Sequence, residues 1–212
     1  MKLFSLTLAL FGFLFAALTA AEEDEGWISL FDGKSLDGWK PNEENPDSFS
    51  VEEGLLKVSG PRSHLFYAGE INGASFKDFE FKAKVMTKPK ANSGIYFHTA
   101  YQAQGWPAKG YECQVNSTHS DRRKTGSLYA IVDVLDDAPS KDGEWFDYYI
   151  KVEGKRVIIK INGEVKVDYT EPDSPERDGG MKDRLIDKGT IALQAHDPES
   201  TVFYKDIFIR PL

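Results

Sequence analysis

The feature that most restricts this chain is a two-residue repeat of apolar and polar side chains, cut by turn residues and hardly ever replaced by helical spacing. In Phe79-Glu80-Phe81-Lys82-Ala83-Lys84-Val85 the alternation is strict. Successive side chains of a strand point to opposite faces, so this pattern describes a strand with one dry face and one wet face. Residues 148–152 repeat it and meet 157–161 across Glu153-Gly154-Lys155. Asn162-Gly163 then leads into 164–169; both residues tolerate the positive φ of a type I′ hairpin turn. Further strands are expected at 27–31, 49–51, 55–58, 94–99, 111–115, 127–132, 190–196 and 201–209. Residues 40–48, 101–110 and 171–187 have loop composition. The last of these holds two prolines, Gly179-Gly180 and many charges. A dozen short strands with one apolar face each are best satisfied by two antiparallel sheets packed face to face. The expected fold class is therefore all-β, a jelly-roll sandwich, with a closed barrel as the second choice.

The first residues are expected to lie outside that fold. Lys2, an apolar run over 3–18 and the small residues Thr19-Ala20-Ala21 have the layout of a secretory signal peptide cut after Ala21. An uncleaved N-terminal anchor is the alternative. Removing 21 of 212 residues leaves 191, read as a single domain over 22–212 that is secreted or periplasmic and carries no membrane anchor. Cys113 is the only cysteine, so the domain carries no internal disulfide and needs a real apolar core. The full chain has a net charge of −8, and loss of Lys2 makes it −9. Nucleic acid demands a basic surface, so it is not expected as a partner.

Three strands place hydrophilic side chains on the face where a plain sandwich would carry Lys, Glu and Thr. Tyr96 and His98 share a face of one; Glu112, Gln114 and Asn116 share a face of the second; Gln194 and His196 share a face of the third. If these strands are neighbours they make a patch suited to sugar hydroxyls, with Tyr96, Trp106 or Tyr129 to cover a sugar ring. His64 lacks such company and reads as structural or loop-borne. Asn92-Ser93-Gly94 can be a simple turn, and Asn116-Ser117-Thr118 matches a glycosylation acceptor to which no role is assigned. No phosphate-cradling glycine loop and no zinc-type spacing occur. A conventional glycosidase needs two carboxyl groups flanking the scissile bond, yet Glu112 has no acidic neighbour two residues away.

The segment Gly26-Trp27-Ile28-Ser29-Leu30-Phe31-Asp32-Gly33-Lys34-Ser35-Leu36-Asp37-Gly38-Trp39 closely resembles the opening signature of the 3-keto-disaccharide hydrolase family, also described as 3-keto-α-glucoside 1,2-lyase / 3-keto-2-hydroxy-glucal hydratase domains. The resemblance continues through Asn92-Ser93-Gly94-Ile95-Tyr96-Phe97-His98, Gly110-Tyr111-Glu112-Cys113-Gln114-Val115 and Lys124-Thr125-Gly126-Ser127-Leu128-Tyr129. Gly143-Glu144-Trp145, Ile161-Asn162-Gly163, Leu193-Gln194-Ala195-His196 and residues 207–212 complete it. It implies a concanavalin-like jelly roll. Two positions depart from the family: many members have Arg at His98, and Val is usual at Cys113.

The resemblance also implies a chemistry. A ketone at C3 of a glucoside acidifies the C2 hydrogen; a base removes it, the C1 oxygen leaves by β-elimination, and water adds back. The partner would be an oxidised (3-keto) sugar or glycoside. Expected roles are His98 or His196 as base, since imidazole as a residue type changes charge near neutrality. Glu112 would be partner base or would orient a histidine. Asn92, Gln114 and Gln194 would hold hydroxyls or the enolate oxygen, with Tyr129, Arg123 and His119 as weaker candidates. The sequence requires no cofactor, although a divalent cation held by His98, Glu112 and His196 is an arrangement these residue types permit. A non-catalytic carbohydrate-binding module and a conventional glycoside hydrolase are the competing functions.

Overall fold

The computed structural model describes residues 25–212, so the expected export signal lies outside the described residues. Thirteen strands are present among them: β1 (Ile28–Ser29), β2 (Trp39–Pro41), β3 (Phe49–Glu52), β4 (Leu55–Ser59), β5 (Ser63–Tyr67), β6 (Phe79–Thr87) and β7 (Asn92–Thr99), then β8 (Tyr111–Asn116), β9 (Phe146–Glu153), β10 (Arg156–Ile161), β11 (Glu164–Thr170), β12 (Thr190–Ala195) and β13 (Thr201–Pro211). They form two antiparallel sheets. One runs β11-β10-β9-β6-β13-β4-β3, with β1 added on β13; the other runs β2-β5-β12-β7-β8. The chain is a two-sheet sandwich and not a closed barrel.

Alternation explains the first sheet directly. Phe79, Phe81, Ala83 and Val85 of β6 turn inward with Tyr148, Ile150 and Val152 of β9 and Val157, Ile159 and Ile161 of β10, all buried. Each such apolar side chain contributes on the order of 1.5–3 kcal/mol by leaving water. Lys82 and Lys84 remain on the outer face; Glu80 beside them is buried, accepting from Tyr149 at 2.5 Å and from Arg210 Nε at 2.6 Å. Asn162 and Gly163 have φ of 51° and 80°, and Ile161 pairs with Glu164 across them, as the hairpin signal requires.

The second sheet is different, because both of its faces are covered. Leu65, Ile95, Phe97, Cys113, Val115, Ile191 and Leu193 point into the shared core, yet every residue of β5, β7, β8 and β12 is buried. The covering material is the long connections, principally residues 101–110, 117–140 and 171–187. Two strands are not anticipated by alternation. Ser63–Tyr67 is buried throughout and so has no wet face to betray it, and Trp39–Pro41 is a short edge containing a proline. The strand expected at 127–132 is instead a pair of tight turns with Ala130 at φ 60°, held to β8 by Gln114 N–H on Ser127 O at 3.0 Å and Tyr129 N–H on Glu112 O at 2.9 Å. Asn92-Ser93-Gly94, which can be a turn by composition, opens β7.

Candidate active site

The three strands with hydrophilic faces lie side by side, in the order β12-β7-β8. Tyr96 pairs with Glu112 on one side and Ala192 on the other; Gly94 pairs with Gln114, and Leu193 pairs with Ile95, which brings Gln194 alongside Gly94. Gly94 is what gives this row its shape. A β-carbon there would sit 2.7 Å from Glu112 Oε1, so only glycine lets the carboxylate lie across the strand between the two glutamines. Gln194 Nε2 donates to Glu112 Oε1 at 3.0 Å and to the Tyr96 hydroxyl at 2.9 Å, and Gln114 Nε2 donates to Asn92 Oδ1 at 3.1 Å.

This row floors a cavity of about 380 Å³. Trp106 from residues 101–110 forms one rim, with His196 5.3 Å from it and the Arg62 guanidinium 5.2 Å away on its ring. Tyr129 also lines the cavity, with Arg123 at 4.6 Å and Arg184 at 5.6 Å from its ring. Residues 171–187 run across as a strap that supplies Asp178, Met181 and Arg184 to the lining. Glu171 anchors the strap: it accepts from the Tyr111 hydroxyl, from Ile186 N–H at 3.0 Å and from Arg177 Nη2 at 3.4 Å.

Burial pushes the Glu112 carboxyl above its ordinary range, against the opposing pull of Arg184, whose Nη2 lies 3.4 Å from Oε2, and of hydrogen bonds from Tyr96 and Gln194. His196 Nδ1 lies 2.8 Å from Asp197 Oδ2. Burial works against ionising Asp197, but hydrogen bonds from Ser200, His196 and Glu199 outweigh it and hold the carboxyl below its usual value. An ionised Asp197 accepts the Nδ1 proton and leaves His196 Nε2 with its lone pair.

Asn92, Tyr96, Trp106, Glu112, Gln114, Tyr129, Gln194 and His196 thus share one cavity. His98 does not join them. Its φ of 54° breaks the alternation one step after Phe97 and turns the ring away, against Phe97 and Phe79. There Nε2 donates to Lys77 O at 2.8 Å and Nδ1 accepts from Asp187 N–H at 3.1 Å, while burial holds the imidazole below its ordinary pKa. His98 therefore fastens the end of the strap and is removed from the candidate base and ligand positions. Asn116 is also displaced from the expected role: its amide donates to Asp121 O and Arg123 O and accepts from His119 N–H, shaping the loop behind the cavity. Its full burial leaves no room for a glycan on the acceptor motif. Arg123 is held by Asp133 at 2.9 Å and supports Tyr129 from behind without lining the cavity. His119 stands just outside, 5.5 Å from His196 ring to ring. His64 belongs to β5 and is wholly buried between Tyr96 and Trp106.

Arg184 and Asp197 were not among the sequence candidates. Asp197 follows His196 directly, a signal that pleat geometry hides because adjacent side chains on a strand diverge; here the strand has already ended at Ala195. Arg184 sits in a stretch with no periodicity at all.

The cation set expected of His98, Glu112 and His196 is not assembled, since His98 faces elsewhere. Among the described residues, His119, His196 and Asp197 bring one ligand-type atom each within 4.8 Å of the others. His119 Nδ1, however, accepts the Asp121 N–H at 3.1 Å, which puts the proton of a neutral ring on Nε2, the nitrogen 4.0 Å from Asp197 Oδ2. The cluster sets one carboxylate in hydrogen-bond contact with His196 and 4.0 Å from His119.

Comparison with known proteins decides the lineage. The model of the 3-keto-α-glucoside-1,2-lyase-like domain matches residues 26–210. The chain belongs to this family. A curated relative of the lyase-like domain, the 3-keto-disaccharide hydrolase of Bacteroides thetaiotaomicron, is 26% identical over 187 residues, which cover 72% of this chain. The match spans 64% of that relative's length, less than two thirds. A solved structure described as a candidate glycosyl hydrolase from Parabacteroides distasonis superposes with a TM-score of 0.76 at 22% identity, over 91% of this chain and 96% of that one. A carbohydrate-binding module from Bacillus subtilis gives a TM-score of 0.57 at 14% identity, over 82% and 95%. At these identities the likeness is one of fold, the concanavalin-like jelly roll, which this lyase-like domain shares.

Proposed function

We propose that the protein cleaves 3-keto-glucosides by elimination and rehydration, with His196 as the base. The observation that carries this reading is the His196–Asp197 pair, whose imidazole lines the same cavity as the buried Glu112. A C2 deprotonation needs one oriented base, an acid for the leaving oxygen and donors for the developing charge. His196 Nε2 takes the C2 proton. The C2–H electron pair becomes a C2–C3 double bond and the carbonyl pair moves onto O3. When that charge returns, the C1–O bond breaks and the departing oxygen takes a proton from Glu112, whose raised pKa suits it to an acid. Addition of water at C1, with a proton returned to C2, completes net hydrolysis. Gln114, Gln194 and Asn92 hold hydroxyls, and Trp106 and Tyr129 flank the ring.

The family membership and the hydrolase name of the Bacteroides thetaiotaomicron relative support this assignment. The fold it shares with a carbohydrate-binding module keeps simple binding as the second reading. One assay separates them: incubation with a 3-keto-glucoside and detection of the freed 3-keto sugar. Release is expected, with a loss of ~10²-fold or more in kcat for His196→Ala and for Glu112→Ala. Binding without release favours the module, activity on the unoxidised glucoside favours a conventional hydrolase, and near-wild-type turnover in both variants removes the assigned roles.

A further inference from the structure

We propose that Arg184 is a catalytic residue that reads the ketone oxygen at C3 and carries the enolate charge, so that the site selects an oxidised sugar over its parent. This rests on the elimination reading above. Among the described residues, three residues that line the cavity each carry a buried side-chain atom with no hydrogen-bond partner: Gln114 Oε1, Gln194 Oε1 and Arg184 Nη1. Two are acceptors and one is a donor. Their identities are set by their other contacts, because Gln194 Nε2 is committed to Glu112 and Tyr96 and Gln114 Nε2 to Asn92. A buried polar atom left unmatched is costly, so a ligand seated against these residues gains by matching them. The amide oxygens call for O–H groups, which a sugar supplies at every unmodified position. The guanidinium only donates. A hydroxyl can satisfy it but must then turn its own hydrogen elsewhere, whereas a carbonyl oxygen only accepts and fits without remainder.

The same atom suits the reaction. Removal of the C2 proton by His196 Nε2 leaves the carbon–hydrogen electron pair as a C2–C3 double bond and moves the carbonyl pair onto O3, where Arg184 Nη1–H meets the negative charge. Expulsion of the C1 oxygen then returns that charge and frees the guanidinium. A fixed positive donor inside a dry site stabilises such charge far better than water-exposed groups do. Arg184 is 7% exposed, and its second nitrogen, Nη2, lies 3.4 Å from Glu112 Oε2, which fixes the guanidinium beside the row. The strap sets its position in advance: Arg184 N–H donates to Met181 O at 2.9 Å and Arg184 O accepts from Arg177 Nε at 2.9 Å.

The test is C2 proton exchange of a 3-keto-glucoside in heavy water followed by NMR, alongside kcat and KM for its cleavage. With wild-type protein both exchange and cleavage are expected. Arg184→Ala should slow exchange and kcat by ~10²–10³-fold with a much smaller change in KM, and guanidinium ion at non-denaturing concentration should restore part of the rate. Arg184→Lys keeps the charge but not the forked donor; it should melt close to wild type and still lose exchange, which keeps the proposal open to refutation if the alanine variant does not fold. Wild-type exchange in a folded Arg184→Lys or Arg184→Ala protein overturns the assignment while leaving the elimination reading in place. Absence of both exchange and cleavage with wild-type protein overturns the two together.

Discussion

His64 shows how one side chain can tie the stability of this fold to pH. Both of its ring nitrogens are buried without a hydrogen-bond partner among the described residues, and the ring packs edge-on against Tyr96 at 5.3 Å and Trp106 at 5.6 Å. Burial pushes its pKa down to about 3; Glu44 opposes that shift, while Arg62 and His196 add to it. In the unfolded chain a histidine titrates near ~6.5. As pH falls below that value the unfolded state takes up a proton that the folded state refuses. The ring therefore adds no pH dependence above pH ~6.5, and stability is lost from there down to about 3, at up to ~1.4 kcal/mol per pH unit. His64→Phe keeps the aromatic packing and removes the titration. Denaturant unfolding between pH 4 and 7 is expected to show a steeper loss in wild type than in the variant, by up to about one proton's slope. Asp197, whose pKa is lowered by Ser200, His196 and Glu199, acts in both proteins and cancels in the difference, and Glu44 is lowered chiefly by Arg62, which both proteins keep. Equal slopes would mean His64 already has a proton acceptor or water in the native state. Residue-level legibility follows the same division. Tyr96, Glu112, Gln114 and Gln194 were readable because a regular strand fixes where each side chain points. His98 was misread because one positive φ undid that regularity.

At the scale of elements, the strap over residues 171–187 converts a flat sheet face into a cavity. It has little regular structure beyond one 3-10 turn, Gly179–Met181, and depends on its fastenings: Glu171 to Tyr111, Ile186 and Arg177, and Asp187 to His98. The Glu171–Arg177 pair is buried on both sides, 7% and 8% exposed, and losing one partner of such a pair typically costs ~3–5 kcal/mol. Because the side chains of this pair bond only Tyr111, Tyr169 and the strap itself among the described residues, that cost should appear as local opening and not as global unfolding. In Glu171→Ala, amide hydrogen exchange over 177–187 should accelerate by ~10²-fold or more while β6 and β9 amides keep their protection. The variant should also lose turnover, since Arg184 rides on the strap. Uniform acceleration across both sheets would show that the strap is not a separate unit. Composition marked this stretch as loop correctly, but charges, prolines and glycines carry no period, and without a period nothing in the local sequence says which face a loop will cover.

For the whole molecule, the central fact is that β7, β8 and β12 are buried from both sides, by the opposite sheet and by the long connections. Cys113 lies in the middle of this arrangement with no exposed surface, and burial pushes its thiol well above the ordinary range. A thiol reagent needs both contact and thiolate, so labelling should be negligible in native buffer. It should become stoichiometric in denaturant, with a rate that follows the global unfolding equilibrium. Native-state labelling insensitive to denaturant would reveal a partial opening of β8. The acidic net charge of −8 belongs to this scale too; it favours solubility and leaves the choice of ligand to the cavity.

What the sequence determined by itself was local: strands of period two, a hairpin pinned at Asn162-Gly163, and three hydrophilic faces with glutamine, tyrosine and carboxylate on them. These are legible because a strand's geometry is set within a few residues. Only the tertiary structure decided that the three faces adjoin, that His98 turns away and that Arg184 arrives. Glu112 and Arg184 are 72 positions apart, and Glu112 and Gln194 are 82. Contacts of that separation are chosen by which packing satisfies every buried group at once, a condition on the whole chain that no short window can express.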